Sequence, residues 1–453
     1  MEKKGFSKAA LKAANKRKYV VFDKFSTICD EDGNGTLGAI DSINCTTADG
    51  GLSAGVGMTL YYTANDEEVE YDKNVEICQY FTYKNWDEGV QSIGVMAENG
   101  AMFYVDEEEL PIKIYKNFMH KMDVYNCVDG DLTDIILAVG PAGIFAYREE
   151  GEQRSELKRV NCSCICRDRL FVCLDSYVVR YSEPLEYLHF NETVDDSGVL
   201  YLPSGYGEPM AMVAYKENVY VLYAYEIVEI KTAGAARDFR MRILPYVGGK
   251  IIENGVRVFG DKLLILAEDG IYMFDGNAIK KAYQQLGIQA KKNSRIFNSA
   301  VCADKLLIRY VDRNNKDTSA VLYPDGEYGY YATFMSGLGE YRGRVFCVYN
   351  NRLYNVQDNS YIPSAESRFF RSVEQNFGIL GVKTLKALHF EGKGIVDIDV
   401  YVDGVKKTSR PMARFVDGKA TLRLDVRGES FSFLFWVATG SEIWRMTAEV
   451  EYV

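Results

Sequence analysis

Five stretches of this chain repeat one pattern, and that repetition limits its fold more than any other feature. They are ICRDRLFVCLDSYVVRYSEP (165–184), AYKENVYVLYAYEIVEI (214–230), VFGDKLLILAEDGIYMFDG (258–276), VCADKLLIRYVDRNNKDTSAVLYPD (301–325) and EYRGRVFCVYNNRLYNVQD (340–358). Each reads as a short strand, a polar turn, an apolar strand, a second turn and an aromatic strand. The first turns fall at Arg167-Asp168, Glu217-Asn218, Gly260-Asp261, Ala303-Asp304 and Arg342-Gly343. Two looser copies precede them, LTDIILAVGPAGIFAYRE (132–149) and ENGAMFYVDEEELPIKIY (98–115). Short connections rich in Gly, Asn and Asp between apolar runs make antiparallel meanders.

The central strands begin near Met102, Ile135, Leu170, Val219, Leu263, Leu306 and Val345, at intervals of 33 to 49 residues. A single meander cannot bury both of its faces. Repeated units of about 40–50 residues with three or four strands each are what a β-propeller is built from. The expectation is an all-β chain: a β-propeller of six or seven blades over residues 19–358, then a small C-terminal β-sandwich. The first two intervals are tight for four strands, which leaves the blade count open between six and seven. A stack of β-sandwiches is the alternative. Composition agrees with strands, since Tyr stands at 33 and Phe at 23 against only 9 Pro.

The repeats stop near Asp358. After NSYIPSAE (359–366), residues 367–453 read as a different unit: LKALHFEG, IVDIDVYVDGVKKT, KATLRLDV, SFSFLFWVA and MTAEVEYV. Asp403-Gly404 marks a hairpin between alternating strands, and seven or eight strands in this length suggest a small sandwich. At the other end, residues 1–18 form a basic N-terminal arm with seven Lys or Arg and one Glu, against a net charge of −11 for the whole chain. It reads either as a solvated tail or as an arm that orders against an acidic partner. The acidic balance argues against a protein that coats nucleic acid, and no sequence-specific nucleic-acid binding is expected. No apolar run is long enough for a membrane span, and no apolar leader is visible.

Several motifs invite chemistry. In DEDGNGTLGAID (30–41), Asp30, Asp32, Asn34, Thr36, Gly38 and Asp41 occupy the ligand positions of a calcium-binding EF-hand loop. The twelfth position is Asp rather than a bidentate Glu, and the flanks are β-prone, so a glycine-rich turn with solvated carboxylates is the simpler reading. The same glycines, Gly33, Gly35 and Gly38, spell a dinucleotide fingerprint, but they sit among carboxylates where a phosphate needs positive potential. The loop is expected to carry the chain from an N-terminal strand into the first blade. Cys162, Cys164 and Cys166 alternate along one strand, too far apart for disulfides with one another. They read as small core residues of a reducing compartment. None of the three histidines, His120, His189 and His389, lies in a metal-protease or nucleophile-elbow motif. Acidic runs such as Asp106–Glu109 read as hairpin ends. With 64 Asp and Glu, no glycosidase pair can be singled out. No catalytic, cofactor-binding or metal residues are assigned, and the chain is expected not to be an enzyme.

The insert YSEPLEYLHFNETVDDSGVLYLPSGYGEPMAMVAYKENVYVLYAYEIVEI (181–230) carries a resemblance. Ser182, Pro184, Leu202, Pro203, Gly205, Gly207 and Pro209 follow a pattern of bacteriophage virion proteins, in which a Ser-x-Pro step precedes an aromatic strand. A Leu-Pro-x-Gly-x-Gly-x-Pro loop then leads into the next blade. FDKF (22–25), SINC (42–45), ADGGLSAGVGM (48–58) and the closing MTAEVEYV (446–453) also resemble that family; its basic Lys-Arg-Pro-Gly step is replaced by Ala54-Gly55-Val56-Gly57. The resemblance implies a structural component of a tail or head–tail connector, without cofactors. Such a subunit would contact other virion proteins, form a homo-oligomeric ring and assemble in the bacterial host cytoplasm. The alternative is a carbohydrate-binding or carbohydrate-active propeller that recognises a host surface.

Overall fold

The computed structural model describes residues 16–27, 35–47, 50–63, 76–105, 112–175, 177–191, 196–202, 207–286, 299–302, 305–311, 317–331, 335–349, 352–358, 368–408 and 411–452. The chain divides into two compact units, Gly57–Gln357 and the two flanking segments Met1–Val56 and Asp358–Val453.

Gly57–Gln357 is a propeller of seven four-stranded blades. From the axis outwards, blade 1 runs Ile77–Asn85, Val90–Ala97, Ala101–Val105 and Ile112–Asn117; blade 2 runs Asp123–Val128, Asp134–Gly140, Gly143–Arg148 and Gly151–Arg154. Blade 3 runs Cys162–Cys166, Arg169–Cys173, Val178–Tyr181 and Gly198–Tyr201; blade 4 runs Ala211–Tyr215, Asn218–Leu222, Ile227–Lys231 and Arg240–Leu244. Blade 5 runs Ile251–Phe259, Lys262–Ala267, Gly270–Phe274 and Ile279–Ala282; blade 6 runs Ser299–Cys302, Lys305–Val311, Asp317–Leu322 and Tyr328–Tyr331. Blade 7 takes Ser336–Tyr341, Arg344–Tyr349 and Arg352–Asp358 from the end of the unit and its outermost strand, Val56–Thr63, from the beginning.

The apolar repeats are the second strands of the blades, and their composition follows from being covered on both sides. In blade 2, Ile136 and Ala138 pack towards Phe81 and Met96 of blade 1. The alternate residues Ile135, Leu137 and Val139 pack towards Leu170 and Val172 of blade 3. Period-2 alternation therefore disappears and the strand reads as a continuous apolar run. The two-residue turns of blades 3 and 4 put Arg167, Asp168, Lys216 and Glu217 at positive φ, the conformation of a tight turn matched to sheet twist. In blade 4 this turn lies one residue earlier than the sequence suggests. The tight first interval also resolves: Met102 lies on the third strand of blade 1, and the second strand is Val90–Ala97.

Amide side chains stitch the inner strands of blades 1 and 2 where no ladder joins them. Gln79 accepts from the Val124 N–H at 2.9 Å and donates to the Val124 carbonyl, and Asn126 makes the reciprocal pair with Thr82 at 2.8 Å each way. Tyr80 donates to the Gly337 carbonyl of blade 7 at 2.7 Å.

The second unit is a β-sandwich, and it departs from the expected boundaries. Residues 19–56 do not begin the propeller. Lys16–Phe22 pairs antiparallel with Glu442–Tyr452, so Lys16, Arg17 and Lys18 of the basic arm are strand residues; residues 1–15 lie outside the described residues. One sheet orders Lys16–Phe22, Glu442–Tyr452, Lys383–Lys393 and Lys419–Gly428, with Leu52–Ser53 also on Glu442–Tyr452. The other orders Lys24–Ser26, Thr36–Ile43, Phe369–Ser372, Phe431–Val437 and Ile395–Val402, with Val405–Lys406 and Met412–Arg414 on the last. The physical reason is aromatic burial: Phe25 is fully buried, with its ring 5.8 Å from Phe370 and 6.0 Å from Phe435. Lys383 is also buried, and its ammonium is held by the carbonyls of Ile379 at 2.6 Å and Gly381 at 3.0 Å.

Phe25→Ala is expected to destabilise the sandwich by about 3–5 kcal/mol. Hydrogen exchange of the 431–437 amides should quicken accordingly while the inner strands of the propeller keep their protection. Unchanged exchange in that strand would show that the N-terminal segment is not part of this core.

Candidate axial site

The inner strands of all seven blades surround a cavity of about 350 Å³ on the propeller axis. The side chains that give it chemistry are Cys78 from blade 1, Asp123 from blade 2, Cys162 and Ser163 from blade 3, Arg257 from blade 5, Ser299 from blade 6 and Glu340 from blade 7, together with Lys121 from the turn before blade 2. They come from the inner strands of different blades, so groups far apart in sequence meet around one space.

On the blade 2–3 side the polar groups are mutually satisfied. Lys121 stands 3.9 Å from Asp123, Ser163 donates to Asp123 at 3.4 Å, and the Tyr125 hydroxyl meets Ser163 at 2.9 Å. Burial pushes the Tyr125 phenol well above its usual range, and the Asp123 charge adds to it. Burial pulls the Arg257 pKa below its ordinary value while Asp123, across the axis on blade 2, opposes the shift. Glu340 is different. Burial raises its pKa, and no described residue gives it a hydrogen bond or an ion pair. The Ser299 hydroxyl is likewise buried without a partner.

The thiols of this region are poor nucleophiles. Burial pushes Cys78 up to about 12, with Lys121 opposing and Glu76, Glu98 and Asp123 reinforcing. Cys162 stands opposite Cys173 in the ladder, and the contact between the two sulfurs, followed by burial, raises it well above the usual thiol range. Burial raises Cys164, and Cys166 and Asp123 add to the effect. The cysteine reactive at neutral pH is the thiolate, so none of these is set up for nucleophilic catalysis. The sequence placed Cys162, Cys164 and Cys166 on one face, and all three are buried. It missed Cys173, because cross-strand register is invisible without the turn at Arg167-Asp168.

A second cavity of about 280 Å³ lies where blades 7, 1 and 2 meet, lined by Trp86, Lys84, Gln91, Asn126, Asp134 and Arg342 among others. Lys84 pairs with Asp134 at 3.0 Å, Arg342 donates to Gln91, and the Trp86 indole N–H is buried without a partner.

The other sequence features fall outside both cavities. Asp30, Asp32, Gly33 and Asn34 lie outside the described residues. Thr36, Gly38 and Asp41 are laid out along the strand Thr36–Ile43, where the Gly38 carbonyl accepts from Val373 at 2.9 Å. That half of the stretch is extended sandwich backbone and does not curl around an ion, nor does it lead into a blade. His120 is exposed, His189 faces Glu186 at 3.4 Å on the surface, and His389 lies between Thr421 and Glu449 on the sandwich. Asp106–Glu109 lie outside the described residues. Among the described residues no group of three or more His, Cys, Asp or Glu could hold a metal ion, and no helix is long and apolar enough to cross a membrane.

The stretch that carries the resemblance, 181–230, begins as the link between the third and fourth strands of blade 3 and runs on through the first three strands of blade 4. Ser182 is fully buried; its hydroxyl accepts from Leu170 N–H at 3.0 Å and donates to the Glu183 carbonyl at 2.8 Å. Arg169 holds the Ser182 carbonyl at 3.0 Å and Asp196 at 3.3 Å. Tyr187 crosses to blade 2 and donates to the Val128 carbonyl at 3.2 Å. A side chain at Gly130 would meet Glu186 at 2.7 Å, which explains a glycine at that close approach. Leu202 and Pro209 are buried, Gly207 adopts φ +81°, and Pro203 and Gly205 lie outside the described residues.

No family model matches the chain, and no curated protein matches it. Solved structures with a similar backbone are propellers at low identity. A catalytically inactive variant of virginiamycin B lyase from Staphylococcus aureus, with quinupristin, is 10% identical, covers 66% of this chain and 99% of that one, and has a TM-score of 0.43. The β-propeller domain of Cps50 (Swd1) from Myceliophteria thermophila is 12% identical over 66% of this chain and 98% of that one, also at 0.43.

The buried thiols and phenols impose a pH dependence. An acid whose pKa is raised by folding leaves stability intact below its unfolded pKa and withdraws it as pH rises towards the folded value. Cys45, Cys78, Cys127 and Cys347 move from 9.0 to about 12, and Tyr115 from 10.0 to about 12. Stability should therefore be flat from neutrality to about pH 8 and fall progressively between about pH 9 and 12. Urea midpoints measured across that range check it; a midpoint unchanged up to pH 11 would contradict the burial of these groups.

Proposed function

We propose that this chain is a non-enzymatic structural subunit of a bacteriophage or prophage particle, a tail or head–tail connector component. It works through protein–protein contacts with other virion proteins and forms a ring of its own copies, assembled in the bacterial host cytoplasm. The observation that carries the reading is the blade 3 insert. Of the residues on which the resemblance rests, Ser182 and Pro184 belong to a segment that is tied down against the propeller, from buried Ser182 to Tyr187 on the Val128 carbonyl. A loop fixed in this way favours a rigid subunit, as repeated contacts in an assembly require. The axial thiols, held protonated at neutral pH, agree with a non-enzymatic role.

The test is purification of particles from a producing strain, with mass spectrometry for the chain and electron microscopy for its symmetry. The expected result is a fixed copy number in rings. A chain absent from particles and monomeric in solution would sink the proposal.

A carbohydrate-binding propeller is the second reading, favoured by the Trp86 cavity. An indole face beside Arg342, Gln91 and Asp134, with its N–H buried and unpartnered, suits the apolar face and hydroxyl rim of a sugar. On an array of bacterial surface glycans this reading expects binding that Trp86→Ala reduces by about tenfold or more. A blank array, or binding indifferent to Trp86, would remove it.

A further inference from the structure

We infer that copies of this chain join edge to edge, the outer strand of blade 4 in one copy against the outer strand of blade 2 in the next. The inference rests on the proposed reading of the chain as a ring-forming subunit, and it names the two faces that meet. The observation behind it is a pair of exposed strand edges of opposite charge.

The outermost strand of each blade has one side of its backbone ladder unpaired. In blade 4 this strand is Arg240–Leu244, and its first four residues are exposed. They alternate: Arg240 and Arg242 lie on one face, Met241 and Ile243, 38% and 48% exposed, on the other. Arg242 holds the buried Glu229. Arg240 has no ion pair or side-chain hydrogen bond with any described residue. An exposed edge that carries apolar side chains is a template for a further strand.

Blade 2 presents the complement. Gly151–Arg154 is exposed along its whole length, and exposed Glu149 and Glu150 lead into it. Glu152 pairs with Lys116 of blade 1 at 2.6 Å, whereas Glu149 and Glu150 have no partner among the described residues. Blade 4 against blade 4 would bring arginines together, and blade 2 against blade 2 would bring glutamates together; both arrangements are repulsive. Unlike edges therefore meet, and head-to-tail contact of this kind builds a ring when the rotation closes.

Every outer strand is one edge of a four-stranded antiparallel blade, so all of them run the same way along the propeller axis. Copies with parallel axes bring the two edges together in parallel. The register that sets Arg240 beside Glu150 also sets Arg242 beside Glu152. It places Met241 beside Gly151, where a Cβ would meet nothing within 4 Å. Arg154 then falls beside Leu244 and opposes no arginine. Blades 2 and 4 are two steps apart in a ring of seven, an angle of about 103°, and closed rings of four, five and six copies need about 90°, 108° and 120°. The nearest closure is five copies.

The experiment uses the full chain, with sedimentation velocity across concentration and native mass spectrometry for the copy number, at about 50 and about 500 mM salt. The wild type should assemble into closed species of five copies, with four or six the limit that tilted axes allow, and should dissociate at the higher salt. Arg240→Glu and Glu150→Arg, each alone, should raise the concentration for half-assembly by about tenfold. The thermal midpoint of the monomer should not move, because neither residue has a partner to lose. Both changes in one chain restore opposite charges across every contact and should recover assembly to within about threefold of wild type. A wild type that stays monomeric at about 100 μM overturns the inference. So do closure at any other copy number, assembly indifferent to both single changes, and a double variant no better than the singles. A charge-dependent ring that is absent from particles would sink the virion role and leave this contact standing. A chain present in particles but indifferent to the charge swap would do the reverse.

Discussion

The propeller depends on one backbone pairing, that of Val56–Thr63 with Arg352–Asp358 in blade 7. Three strands from the end of the unit would leave the last blade one strand short, and the first and last blades would have no covalent reason to stay together. The strand from the beginning of the unit completes the sheet. Its side chains are seated accordingly: Met58 meets Cys347 at 3.3 Å across 289 residues of sequence, and the Tyr61 ring lies 5.1 Å from Phe346. Phe346 and Leu353 in turn pack with Ile77, Ile93 and Phe103 of blade 1, so the closing strand backs the contact that joins the two ends of the ring. Each other blade forms from one continuous segment. The cost of closing the long loop grows only with the logarithm of its length, so one such pairing can hold an array of local sheets.

That division between local and distant pairing decides what could be read in the sequence. Blades 2 to 7 announce themselves because hairpins are local: the turn chemistry at Arg167-Asp168 and Arg342-Gly343 and the apolar second strands lie within twenty residues of one another. Blade 1 is less legible. Its second strand, VQSIGVMA, carries Gln91, Ser92 and Gly94 and lacks the continuous apolar run of LLILA, so the apolar run at Met102 reads as the centre. Gly94 is needed there because a Cβ would strike the Phe81 ring at 2.3 Å. The N-terminal strands are not legible as part of the sandwich for a plainer reason. The partner of Lys16–Phe22 is Glu442–Tyr452, and nothing local in either segment names the other. Phe22 and Phe25 looked like the start of a blade and are instead core residues of the sandwich.

The axial cavity was illegible for a geometric reason. In a single blade, the inner-strand residues that avoid both neighbouring blades look like solvent-facing positions of an amphipathic strand. Arg257 and Glu340 are unremarkable there, as polar residues between apolar ones. Closing the ring turns seven such edges towards a common axis, and groups separated by dozens of residues become the walls of one space. The electrostatics then follow from what each group finds. Asp123 finds Lys121 and Ser163, whereas Glu340 and the Ser299 hydroxyl find no partner among the described residues. The asymmetry between the two sides of the cavity belongs to the assembled ring and to no repeat within it.

The same closure bears on how a propeller can be inserted, in sequence, between the two segments of a sandwich. Thr59 donates to Gln357 at 3.5 Å within blade 7, so the chain enters the propeller and leaves it on adjacent strands of one sheet. Insertion of a whole domain is tolerated where its ends lie close together, and here the closing pairing itself brings them together. The sandwich can therefore be completed by two segments, 16–53 and 369–452, that three hundred intervening residues keep apart in sequence only. Had the last blade been closed at its own C-terminal end, the chain would enter on blade 1 and leave on the outer strand of blade 7. Closing blade 7 with the first strand instead keeps the entry and the exit on neighbouring strands of one sheet.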